Sequence, residues 1–325
     1  MGTATTTVQP ERILKDLQQL WAQMAVDQAD SGGVLRACAM TLVVVAENSS
    51  DADRVRQTVG VLMHNHPSRA VILRPGGDGA ASLDLDARIF AECWKPFGKS
   101  QQICSEGIEI TAGQGGFSEV AKFLVPLRVP DLPVVLWCRG THVFTAALDP
   151  GPSEPLFPLA DKIIFDTSQV ADADSALEFL RRLHGRGRRV ADLHWTRLTG
   201  WREVLAHLFD DHALRPDQVK AAQVTYGGPS VTTCARYLAA WIRTALPTVR
   251  VTIQSGEGVP GLRSVTISTA SDNLTIALGE NRCLEVSGCG RHYRSLLPSE
   301  SEDSLMQEEL GILGPDPVYE RVLTA

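Results

Sequence analysis

The sequence predicts an α/β protein in two parts. Residues 1–168 read as an N-terminal α/β domain with a mixed sheet, and residues 169–325 as a smaller α+β domain containing an antiparallel meander. Three observations carry this expectation. The first half alternates helical patterns with short apolar runs such as "TLVVV" (41–45), "AVIL" (70–73) and "VVLW" (134–137), the signature of strands covered on both faces. After residue 168 the strands become short and alternating: "VRVTIQ", "RSVTIS", "LTIAL" and "CLEVSG". The length, 325 residues, suits two domains.

The elements follow in order. Pro10 opens a helix, with Ile13, Leu14, Leu17, Leu20, Trp21 and Met24 at helical spacing. "VLRACAMTLVVVAE" (34–47) reads as one long strand. "SSDADRVRQTVGVLMHNHP" is an N-cap cluster and a helix, with Val55, Val59 and Leu62 on one side and Pro67 as its stop. "RAVILRP" completes a β-α-β unit. "SLDLDARIF" and "CSEGIEITAG" predict adjacent antiparallel strands, "FSEVAKFLVPL" a helix, and "DLPVVLWCRG" and "DKIIFDTS" buried strands. The second part opens with the helix "DADSALEFLRRLHG". A second helix carries Trp201, Val204, Leu205, Leu208 and Phe209 on one stripe, with Thr199 as N-cap and Arg202, Glu203 and His207 facing water. "KAAQVTYGG" is a strand. "SVTTCARYLAAWIRTALP" is a helix with Val231, Cys234, Leu238, Trp241 and Ile242 inward, and "ESEDSLMQEELGIL" closes the chain as a helix.

Composition narrows the function. A net charge of -7 argues against general affinity for nucleic acid or anionic membranes. The chain has no transmembrane-length apolar run and no signal-peptide pattern, so a cytoplasmic protein is expected. The match of its first residues to a myristoylation pattern is treated as chance. Seven cysteines, an odd number without a CxxC, predict buried thiols rather than a disulfide framework, with Cys283 and Cys289 the first pair to test for redox activity.

The search for chemistry finds no catalytic constellation, metal site or cofactor fingerprint. "GEGVPG" (256–261) lies between two strands and lacks the helix that would hold a pyrophosphate, so it reads as a hairpin loop. The turn at Gly113, Gly115, Gly116 and Ser118 follows a strand and opens a helix. It is either a tight turn or an anion-binding loop for a sugar phosphate or nucleotide. His64 and His66 lack a third ligand. "RRLHGRGRR" reads as a solvated helix end, having no interleaved aromatics.

"DLHWTRLTGWREVLAHLFD" (192–210) is the most distinctive stretch. Trp195, Arg197, Trp201 and Arg202 at its start are either interface anchors, which Trp and Arg favour, or packing and capping groups. With "HPSRAVIL" (66–73), "DLPVVLWCRG" (131–140), "DKIIFDTS" (161–168) and "LMQEELGILGPDPVYERVL" (305–323), this stretch resembles the glucose-6-phosphate dehydrogenase assembly protein family, OpcA, from the first helix to the last few residues. The resemblance implies an N-terminal α/β domain and a smaller C-terminal domain. It also implies no catalysis, and a role in binding glucose-6-phosphate dehydrogenase and favouring its active oligomer. One departure is Gly200, where the family often has Pro; the register of the helix is kept.

Overall fold

The structure is a computed structural model that describes residues 9–29, 32–75, 86–112, 117–145 and 153–325. The chain divides into two compact units. The first comprises Met1–Phe165, Arg188–Val190 and Met306–Leu313; the second comprises Asp166–Gly187, Ala191–Leu305 and Gly314–Ala325. The single cut expected after residue 168 misses the later returns to the first unit. One return is tied by the Ile163 N–H, which donates to the Arg189 carbonyl at 2.9 Å. The other is tied by buried Lys162, whose Nζ donates to the Glu309 carboxylate at 2.5 Å and to the carbonyls of Glu309 and Ile312 at 2.9 and 2.6 Å. A cation there answers carbonyls left open at a helix end.

The first unit contains α1 (Pro10–Asp27), β1 (Val34–Arg36), β2 (Met40–Val45), α2 (Ser49–Asn65), β3 (Ser68–Pro75), β4 (Asp86–Trp94) and β5 (Gln102–Ala112). It continues with α3 (Phe117–Leu127), β6 (Val134–Cys138), α4 (His142–Thr145) and β7 (Lys162–Phe165). Then come α5 (Ala173–Gly185), β8 (Val190–Asp192), α6 (Leu193–Thr196) and α7 (Thr199–Asp210). The described strands form an eight-stranded sheet in the order β1-β5-β3-β2-β6-β7-β8, with β4 pairing with β5. The pairings among β1, β5, β3, β2, β6 and β7 are parallel and β4 pairs antiparallel with β5, so the sheet is mixed, as expected. Every residue of β2 and β6 is buried, because helices cover both faces. Val55, Val59 and Leu62 of α2 are fully buried, as their spacing predicts.

Two expectations are corrected here. Residues 34–47 form two strands: β1 runs along β5, while β2 enters between β3 and β6. The step at Ala37–Ala39 carries no glycine or proline to announce it; its amides bond to the Cys104 and Pro67 carbonyls instead. The second concerns cysteine. Cys93 and Cys104 face each other across β4 and β5 and are joined as a disulfide. Sequence spacing could not show that an eleven-residue separation closes a hairpin in that register.

The second unit is built from α5, α6 and α7 with β9 (Val219–Gly227), α8 (Thr233–Ala245), β10 (Arg250–Ser255), β11 (Gly261–Thr269), β12 (Asn273–Leu278), β13 (Cys283–Gly288) and β14 (Arg291–Leu296). The closing helices are α9 (Glu302–Leu310) and α10 (Pro317–Thr324). The six-stranded sheet runs β10-β9-β11-β12-β13-β14. Strands β11 to β14 are the expected meander. Strand β10 is not part of it, because it lies parallel to β9 on that strand's far side. "GEGVPG" therefore joins two strands that flank β9 and is not a hairpin; a Cβ at Gly227 would lie 2.3 Å from the Val259 carbonyl oxygen. Cys283 and Cys289 sit at opposite ends of β13, roughly 20 Å of strand apart, which removes them as a pair.

Candidate partner-binding site

The stretch 192–210 begins with a buried acid. Asp192 ends β8 and caps α6. Its Oδ1 accepts the amides of His194 at 2.9 Å and Thr167 at 3.0 Å. Its Oδ2 accepts the Thr167 hydroxyl at 2.6 Å and the Tyr237 phenol at 2.8 Å. The Tyr319 phenol lies 3.1 Å from that of Tyr237. The Thr233 hydroxyl lies 2.8 Å from His194 Nδ1. Asp192 is fully buried and meets no cation in this set of contacts. Burial, then the charge of Asp166, pushes its pKa up to about 6 against the pull of its hydrogen bonds. Burial lowers the His194 pKa to about 4, so its imidazole is neutral.

The four proposed anchors occupy this ground. Trp195 and Trp201 are 3% and 4% exposed, so neither indole presents a surface to a partner. Trp195 packs against Tyr237 and Tyr319 with ring centroids 5.8 and 5.6 Å apart. Arg197 makes a two-armed pair with Asp166 at 2.8 and 2.9 Å. Burial raises the Asp166 pKa, but the Arg197 bonds and charge outweigh it and hold the carboxyl below its usual range. Arg202 was expected on the wet side of the helix. It is half-buried, its guanidinium 3.9 Å from the Trp195 ring centroid and 2.9 Å from Thr199 Oγ1. The spacing allows this, because Arg202 follows Trp195 by about two helical turns. Trp201, Val204, Leu205 and Leu208 are buried as the stripe predicts, and Phe209 is half-buried. Glu203, Ala206, His207 and Asp210 form the exposed side. Helix α7 begins at Thr199 with Leu198 as its cap, one residue from expectation. Gly200 is required by packing, since a Cβ there would lie 2.7 Å from Leu297 Cδ2 and 2.9 Å from Pro298 Cδ.

A second acid sits in the first unit. Strand order reverses at β2, with β3 on one side and β6 on the other. Open α/β sheets bind ligands at the carboxyl ends of strands at such a reversal. Here Asn48 caps α2 by accepting the Asp51 amide at 2.9 Å, and Asp51 accepts the Glu47 amide at 2.9 Å. Arg139, following β6, donates to both oxygens of Asp51 at 2.9 and 2.8 Å and lies 4.7 Å from the Trp137 ring centroid. Burial raises the Asp51 pKa, but Arg139 outweighs it and the carboxyl is held below its ordinary value. Glu47 lies over Gly140, where a Cβ would be 2.7 Å from Glu47 Cγ. The helix end that could hold a phosphate already holds a carboxylate.

The proposed anion loop, Gly113, Gly115 and Gly116, lies outside the described residues; Ser118 falls in α3, and nothing is said of its side chain. Among the described residues no cluster of His, Cys, Asp and Glu fits a metal, and no helix is long and apolar enough to cross a membrane. His64 stacks on Trp94 with centroids 5.0 Å apart. Arg181 of the arginine run donates to the Leu323 carbonyl at 2.7 Å. Sequence reasoning missed Asp192, His194, Thr167, Thr233 and Tyr237 as one network. The one signal was an aspartate immediately before a helix start, the usual mark of a cap.

Fold and geometry together define a two-unit α/β protein whose buried strand-end acids are answered by its own side chains. Residues 59–182 match the family described as glucose-6-phosphate dehydrogenase subunit N-terminal domain, and residues 188–323 match its C-terminal domain. The chain belongs to this family, OpcA. Relatives include two named as OxPP cycle proteins OpcA. The one from Synechococcus elongatus is 28% identical over 66% of this chain and 47% of its own length. The one from Synechocystis is 25% identical over 58% and 38%. The chain thus spans less than half the length of these relatives. Similar solved structures are a 3-ketoreductase from Actinomadura kijaniata, at 7% identity and TM-score 0.47 over 87% of this chain and 94% of that one, and a biliverdin reductase from Synechocystis, at 9% and 0.44 over 87% and 94%. Similarity at that level carries nothing about activity.

Proposed function

We propose that this protein is a non-catalytic assembly factor that binds glucose-6-phosphate dehydrogenase and favours its active oligomer. In that role it supports NADPH production in the oxidative pentose phosphate cycle of the cytoplasm. Membership of a family described as subunits of that dehydrogenase supports the partner. The observation that carries the non-catalytic reading is the Arg139–Asp51 pair. A dinucleotide at the strand reversal needs an open helix N-terminus for its phosphates, and Asp51 puts negative charge there. The mechanism is differential binding: a partner that holds the active form more tightly shifts the population toward it, and a tenfold shift takes about 1.4 kcal/mol. Arg202 is the proposed contact at the start of α7, with Trp195, Trp201 and Arg197 positioning it from behind.

The test mixes the purified chain with the dehydrogenase of the same cell and follows mass and activity together. A complex with raised activity is expected, and the chain alone should not reduce NADP with glucose 6-phosphate. Turnover by the chain alone, or no complex at micromolar concentrations of both, would sink the reading. Thermal stabilisation by a sugar phosphate without the dehydrogenase would favour a ligand at Gly113–Ser118 instead.

A further inference from the structure

Strand β4 is an edge. Among the described residues it pairs only with β5, and no strand pairs with its outer side. The backbone parity along it is fixed by β5. The Gln102 amide donates to the Gly33 carbonyl at 3.1 Å, and the Cys104 carbonyl accepts the Ala37 amide at 2.9 Å. Even-numbered residues of β5 therefore turn their main-chain groups toward β1, and odd-numbered ones toward β4. Asp86, Arg88, Phe90, Glu92 and Trp94 face odd-numbered residues of β5 and bond inward. Ala87, Ile89, Ala91 and Cys93 point their N–H and C=O groups outward. The Cα separation of 4.1 Å between Cys93 and Cys104 agrees, since pairs that do not exchange hydrogen bonds approach more closely.

Such an edge is usually blunted by proline, lysine, a bulge or short length. β4 spans nine residues, contains no proline or lysine, and keeps unbroken register with β5. It carries charges, and their spacing is symmetric about Phe90: Arg88 two residues before, Glu92 two residues after. These three side chains share one face, where Arg56 lies 4.6 Å from the Phe90 ring centroid and Gly60 sits beside Glu92. The Arg88 side chain is 68% exposed.

We propose that β4 pairs antiparallel with β4 of a second copy of this chain, centred on Phe90, so that Arg88 of each copy lies opposite Glu92 of the other. Outward-pointing Ala87, Ile89, Ala91 and Cys93 then meet the same set on the second copy, giving about eight main-chain hydrogen bonds across the join. Arg88, Phe90 and Glu92 fall at the close positions between those bonds, where opposite charges meet best. Neighbouring registers lose both Arg88–Glu92 pairs. A shift one way also sets Asp86 against Glu92, and a shift the other way leaves Arg88 opposite Trp94. Larger shifts set Arg88 against Arg88, or Glu92 against Glu92.

Sedimentation equilibrium on the full chain tests this with Arg88→Glu, Glu92→Arg, the double swap and Ala91→Pro. The wild type is expected to be a reversible dimer. Each single reversal makes two like-charge pairs and weakens it about tenfold or more, and the double swap restores it to within about threefold. Ala91→Pro removes an outward N–H without changing the charged face, so a native-like monomer is expected. The proposal is overturned by a wild type that is monomeric up to about 100 µM. It is also overturned by a dimer indifferent to the single reversals, or by a double swap with native circular dichroism that stays monomeric. Should the swapped chain not fold, Ala91→Pro decides: a native-like dimer overturns the proposal and a native-like monomer supports it.

Discussion

The two units solve one problem in opposite ways. Each buries an aspartate at a helix start near the carboxyl end of a sheet strand. Asp51 meets Arg139, and the pair keeps the acid ionised and its pKa low. Asp192 meets hydroxyls and backbone amides, and its pKa climbs to about 6. The lesson is that hydrogen bonds alone do not offset desolvation together with a neighbouring carboxylate, Asp166, whereas a cation in register offsets burial at Asp51. The first arrangement fills the crevice where a related sheet would take a ligand. The second fixes the turn that carries Trp195 and Arg197.

The largest expected effect breaks the charged side of this comparison. Arg139→Met leaves Asp51 buried without its cation and should cost about 3–5 kcal/mol by chemical denaturation. Arg139→Met with Asp51→Asn should cost clearly less, because no charge is then stranded. Equal losses would mean that Arg139 acts through packing on Trp137. In the second unit Leu205→Ala gives the apolar yardstick: Leu205 is 1% exposed, and truncation should cost about 2–5 kcal/mol.

The pH dependence sharpens the other side. Asp192 has a raised folded pKa, so its contribution is fully present below its unfolded value and is lost as pH rises through about 6. His194 has a lowered one, so its contribution is present at neutral pH and is lost as pH falls toward 4. The two oppose each other between pH 4 and 6. Relative to wild type, His194→Gln should gain stability on acidification across that window, and Asp192→Asn should lose it. Melting temperatures from pH 7 to 4 that run parallel in all three proteins would remove the network from the account.

Arg202→Ala is the smallest expected change. Its stack on Trp195 should make the cost about 1 kcal/mol, more than an exposed arginine would show. If Arg202 also meets the dehydrogenase, binding should weaken by about 1 kcal/mol or more in titration. Unchanged affinity would take it out of the interface.

Much of this was legible in the sequence. The fully apolar strands β2 and β6, the helices α1, α2, α3 and α7, and the buried stripe of Leu205 follow from periodicity, which is local. The split between β1 and β2, the parallel placing of β10 and the short strand β8 were not legible. Each depends on which strand lies alongside, and pairing is a long-range choice. The site divides in the same way. Trp195, Arg197, Trp201 and Arg202 were found as unusual residues, but the burial of Trp195 came from packing on Tyr237 and Tyr319, distant in sequence.

The sequence by itself determined the class of fold, the helical register of the 192–210 stretch and the family, because each is written in residue type and spacing. Only the tertiary structure decided that Arg139 would close on Asp51, that Asp192 would sit among hydroxyls and amides, and that Cys93 would face Cys104. Those outcomes depend on which side chains are brought within about 3 Å and shielded from water, and Coulombic and desolvation energies change steeply over that range.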